Sequence, residues 1–96
     1  MSDDEFVWSS DRFNLTLTQD GDSWAVICRS ASPLYGPDVV TYEARHRLPT
    51  HAAWDVLTRV TRATRDDEEG VRVGSMAARW MKSVMWSDDS VQLAPR

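Results

Sequence analysis

LPTHAAWDVLTRVTRATRD, Leu48 to Asp66, reads as one helix, with extended segments before it and a shorter helical stretch after it. Placed at about 100° per residue, Ala53, Trp54, Leu57, Val60, Thr61 and Thr64 fall on one face, with Val56 and Ala63 at its edge. Asp55, Arg59, Arg62 and Asp66 take the opposite face, where the i,i+4 spacing of Asp55/Arg59 and Arg62/Asp66 offers surface ion pairs. The expectation is an amphipathic helix with a solvated charged side. Thr50 is the expected N-cap, because its hydroxyl can accept from an unpaired first-turn N–H, and Pro49 closes the preceding strand. Four acids, Asp66 to Glu69, oppose the dipole of a helix C-terminus. With Gly70 as the C-terminal stop, the last turn is therefore expected to fray, or the helix to end near Arg65.

Upstream the apolar period changes from helical to alternating. Phe13, Leu15 and Leu17 alternate with Asn14, Thr16 and Thr18, which predicts a half-buried strand over 13–18. Asp20-Gly21-Asp22-Ser23 is a turn. In the return strand Trp24–Arg29, Trp24, Val26 and Cys28 share one face while Ala25, Ile27 and Arg29 share the other. Both faces are partly apolar, which suits a central strand. Ser30–Asp38, SASPLYGPD, is the longest apparent loop, stiffened by two prolines and a glycine around Leu34 and Tyr35. A third strand is predicted over Val39–Leu48, with Val40, Tyr42 and Ala44 on one face and Glu43, Arg45 and Arg47 on the other. Phe6–Trp8 suits either an edge strand or a cover over the core. Downstream, Val71–Gly74 reads as a short extended link able to pair at an edge, and Ser75 as the cap of a second helix over Met76–Trp86.

The expected architecture is a single α+β domain over residues 1–96. It is an antiparallel meander of three strands, or four if Phe6–Trp8 pairs, followed by two helices packed on the sheet. Residues 1–5 and 87–96 are expected to be flexible tails. The expected core is Phe13, Leu15, Leu17, Trp24, Val26, Val40, Tyr42, Leu57, Val60, Trp80, Met81 and Val84.

The formal net charge of −4 argues against generic charge-driven binding to DNA or an anionic membrane. A lone cysteine, Cys28, rules out an internal disulfide and suits a reducing, cytoplasmic setting. No signal-like or membrane-spanning apolar run is present in the sequence, so no membrane contact is expected.

Catalytic and cofactor signatures are missing. His46, His51, Cys28 and the carboxylates lack ligand spacing, so no metal and no other cofactor is expected. Asp20-Gly21-Asp22 opens like a calcium loop, but its twelfth position is Ala31 where a Glu is required. Cys28 sits mid-strand among apolar neighbours, a setting for an inert thiol. There is neither a Gly-x-Ser-x-Gly elbow nor a phosphate loop, and a non-enzymatic role is expected.

Tryptophan is the remaining excess, with five in the chain. Trp24, Trp54 and Trp80 have places in the expected core. Trp86 falls beside Arg79 and Lys82 on the polar side of its helix, next to Met76, Met81 and Met85. Tryptophan anchors interfaces and methionine adapts to them. The first functional expectation is therefore a protein-binding module, docking on another protein or on itself, of the inhibitor or adaptor type that mobile elements encode. Its expected contact residues are Leu34, Tyr35, Met81, Met85 and Trp86. The alternative is a DNA-binding domain that lays its sheet in the major groove through Arg29, Arg45 and Arg47. Residues 39–65 carry five arginines against Glu43 and Asp55, a local excess of three positive charges.

Overall fold

Four strands form one antiparallel sheet in chain order: β1 (Glu5–Ser10), β2 (Phe13–Asp20), β3 (Ser23–Ser32) and β4 (Gly36–His46). Two helices follow, α1 (Pro49–Thr64) and α2 (Asp67–Leu93), and cover one face of the sheet. This is the predicted α+β meander, with Phe6–Trp8 inside the edge strand β1. The structure is a computed structural model that describes the backbone of residues 5–10, 13–32 and 36–93, and the side chains of 5–10, 13–30 and 39–85.

The alternation of β2 and β3 sets the core. Leu15 lies opposite Cys28 and Leu17 opposite Val26, and all four side chains point under the helices and are fully buried. Ala52, Val56 and Val60 come down from α1, and Val73, Ala77 and Met81 from α2. α1 rests mainly on β3 and β4, while α2 reaches β1. Trp80 fills the α2 side, its ring 5.9 Å from Trp24 edge-on and 6.2 Å from Phe6. Trp8 of β1 donates its indole N–H to Glu69 at 3.4 Å, which pins the edge strand to the first turns of α2.

Four sequence expectations are corrected. Val40 leaves the core and is 47% exposed, because β4 carries an extra residue. Cys28 pairs with Tyr42 but Arg29 pairs with Val40, so Thr41 is bulged out and the alternation flips beyond it. Trp54 also leaves the core, at 68% exposed. The sheet-facing stripe of α1 is Ala52, Val56 and Val60, small and branched residues that let the helix sit close to the strands. Third, α1 begins one residue earlier than Thr50. Leu48 holds the cap position without a side-chain hydrogen bond, and Pro49 takes the first helical place, where a missing N–H costs nothing.

The fourth correction is the largest. Val71–Gly74 is neither link nor strand, because α2 runs unbroken from Asp67. Arg65 ends α1 in the left-handed region at φ 57°, and Asp66 caps α2 by accepting from the N–H groups of Glu68 (3.0 Å) and Glu69 (3.3 Å). The acidic run thus sits at a helix N-terminus, where it complements the dipole it was expected to oppose. Gly70 and Gly74 are internal to α2 and face α1. A Cβ on Gly70 would lie 2.9 Å from the Leu57 carbonyl oxygen, and one on Gly74 would lie 2.9 Å from Leu57 Cβ. The two glycines are the contact that brings the helices together. At its far end α2 stays helical to Leu93, through most of the expected C-terminal tail.

Candidate functional site

Trp54 stands where three surface hollows meet. The first is an apolar groove of about 490 Å³ between the N-terminal half of α1 and the middle of α2. Ala53 and Leu57 form its α1 wall, Gly74 and Ala78 its α2 wall, and Met85 its end, with Lys82 as its charged member. The groove exists because Gly74 and Ala78 carry so little side chain. The second hollow, about 320 Å³, is lined by Tyr42, His46, His51, Asp55, Thr58 and Arg59. The third, about 380 Å³, runs toward the α1–α2 turn past Leu57, Arg62, Asp67 and Val71.

Asp55 organises the second hollow. It is 8% exposed, on the flank of α1 that meets β4. His46 Nε2 lies 2.7 Å from its Oδ2, and the Tyr42 hydroxyl straddles both oxygens at 2.9 and 2.8 Å. Arg59 Nε sits 3.4 Å from Oδ1 in an ion pair, but this buried nitrogen makes no hydrogen bond. The guanidinium instead stacks over the Tyr42 ring, 4.2 Å from its centroid. Burial, and then the bond to Asp55, push the Tyr42 phenol above its ordinary range. The cluster joins β4 to α1.

Cys28 lies nearby on the covered face. Burial, outweighing the opposing pull of Arg59, pushes its thiol up to about 11. It is therefore a neutral packing group at physiological pH. An acid whose folded pKa is raised contributes stability that is complete below the unfolded value and is lost as pH climbs toward the folded one. Between pH 9 and 11 the chain should lose about 2 kcal/mol from this source, and urea unfolding at a series of alkaline pH values reads it directly. Cys28→Ala should flatten that slope, leaving the smaller fall from Tyr42; an unchanged slope would contradict the assignment.

Two of the expected contact residues, Met81 and Met85, line the same groove. Met85 is half-buried in its wall, and Met81 borders it from the core, where its side chain is fully buried. Leu34 and Tyr35 lie outside the described residues, as does the side chain of Trp86. Arg29 and Arg45 lie on the sheet face away from the helices, but Arg45 is ion-paired with Asp20, and with Glu43 at 3.8 Å. Arg47 follows the end of β4 and is not part of the sheet.

Sequence reasoning gave Trp54 and Tyr42 to the core, His46 to a rejected metal set and Asp55 with Arg59 to the surface, and did not bring them together as a site. The signal for the cluster was present: Tyr42 and His46 share a strand face that points at the following helix. The i,i+4 pair Asp55/Arg59 instead suggested a solvated surface.

Among the described residues, no helix is long and apolar enough to cross a membrane, and no three His, Cys, Asp or Glu side chains are grouped to hold a metal. No protein-family model matches the sequence, and no curated protein or solved structure matches it either.

Proposed function

We propose that this chain is a non-catalytic, cytoplasmic protein-binding module of the inhibitor or adaptor type, which takes apolar side chains of a partner into the groove beside Trp54. The single observation that carries the reading is the indole itself: 68% exposed and bordering a groove walled by Leu57, Ala53, Ala78 and Met85. An exposed aromatic beside an apolar hollow is the arrangement from which interface anchors are made. Burying a large apolar side chain contributes roughly 1.5–3 kcal/mol, so the indole and its hollow supply a substantial share of a micromolar affinity. Met85 adds a wall that can adapt its shape to what enters. Leu34, Tyr35 and Trp86 stay in the proposal as further contacts.

DNA binding on the uncovered sheet face is the weaker reading. Arg45 is already paired with two acids, and Arg47 lies off the sheet.

The test is a paired capture from source-cell lysate with wild type and Trp54→Ala, proteins and nucleic acid both quantified. Trp54 is mostly in solvent, so its removal should change stability by no more than about 0.5 kcal/mol. A protein retained by wild type should fall about tenfold or more on the variant. Equal retention on both, or recovery of nucleic acid alone, would contradict the reading. Recovery of a second copy of the chain, lost with Trp54→Ala, would make the module self-associating.

A further inference from the structure

The outer side of the two helices complements itself in shape and in charge. α1 and α2 run antiparallel, with Thr61 and Leu57 facing Gly70, and Leu57 and Ala53 facing Gly74. Midway along this seam α1 raises the indole of Trp54, while α2 is low at Gly74, Ser75 and Ala78, and all four line one groove. Nearer the turn the two walls carry opposite charges. Arg62 of α1 and Asp67 of α2 line the same hollow, yet neither is ion-paired or hydrogen-bonded through its side chain to a described residue. Glu68, beside Asp67, is a further carboxylate without a side-chain partner among the described residues. Val71, which lines the hollows on both sides of Asp67, is exposed.

We infer that the occupant of the Trp54 groove is a second copy of this chain, joined face to face about a two-fold axis that runs along the α1–α2 seam. Such an axis lays α1 of each copy over α2 of the other without shifting its level. Trp54 of each copy then enters the hollow at Gly74, Ser75 and Ala78 of the other, and Arg62 of each meets Asp67 of the other. Rise meets hollow and cation meets anion, each twice, through one operation. The inference rests on the protein-binding reading above and names its partner. α1 has 16 residues, so at ~1.5 Å per residue and ~10 Å per helix the two-helix face measures roughly 24 by 20 Å. Two such faces remove about 1,000 Å² from solvent, the lower limit for a specific contact, so the expected dimer exchanges with single chains at micromolar concentration.

The experiment is sedimentation equilibrium on the full chain over a concentration series, with circular dichroism confirming the fold of every variant. The mass should rise from one chain toward two across about 1–100 μM. Trp54→Ala should move that transition about tenfold or more to higher concentration. Arg62→Asp alone and Asp67→Arg alone each set like charges face to face and should weaken the dimer about fivefold or more, while the two together in one chain should restore it. A chain that stays single up to about 500 μM would overturn the second-copy inference. The protein-binding reading would still stand in that case if lysate capture retains a foreign protein through Trp54. A dimer indifferent to Trp54→Ala, or one that the paired charge reversal fails to restore, would also overturn the inference.

Discussion

Gly70→Ala should lower the unfolding free energy by about 2–4 kcal/mol, although the same change in a free helix raises helix stability by about 1 kcal/mol. The new methyl group would run into Thr61 Oγ1 and lie 2.9 Å from the Leu57 carbonyl oxygen. A backbone oxygen cannot swing aside, so α2 would have to back away from α1. That movement would disturb Val73 and Ala77, which sit in the same core as Val56 and Val60. Thr61 provides the control. Its Oγ1 is buried without a hydrogen-bond partner, so Thr61→Ala alone should be close to neutral, and adding it to Gly70→Ala should restore part of the loss. Urea unfolding followed by tryptophan fluorescence measures all three. A neutral or stabilising Gly70→Ala would mean that the helices do not meet at this glycine.

The second large effect belongs to Asp55. Asp55→Ala should cost about 3–5 kcal/mol, because it strands buried partners and does more than delete a contact. Arg59 would keep a charge beside the core with no counter-ion, and the Tyr42 hydroxyl and His46 Nε2 would lose their acceptor. Asp55→Asn keeps one acceptor oxygen and should cost less. Removing the stranded charge as well should recover part of the loss, so the double variant Asp55→Ala with Arg59→Met should be more stable than Asp55→Ala alone. A cost for Asp55→Ala within about 0.5 kcal/mol would show that these donors reach water unaided and that the cluster does not join β4 to α1.

The layering of this fold was legible in the sequence because two simple periods carried it. The alternation through Phe13–Thr18 and Trp24–Arg29 placed Leu15, Leu17, Trp24 and Val26 in the core, where they are found. The errors arose where tertiary contact overrode a local rule. Gly70 reads as a helix stop on propensity, but it is an internal residue whose missing side chain is what α1 needs. Asp66–Glu69 was assigned to the wrong helix end because the turn at Arg65 is so short. One bulged residue, Thr41, turned Val40 outward, and period alone does not register a bulge. The candidate site was less legible still. Trp54 reads as core by composition and is exposed, and Asp55 reads as surface by charge and is buried. In both cases the outcome depends on partners brought in from β4 and α2.

The claim that the Trp54 groove is the binding surface is tested most directly by amide hydrogen exchange on the chain, alone and in complex with its captured partner. The account predicts added protection over 49–58 of α1 and 74–85 of α2, with β2 and β3 unchanged. Protection confined to the uncovered sheet face, over 14–18, 25–29 and 43–45, with none in the two helices, would contradict it.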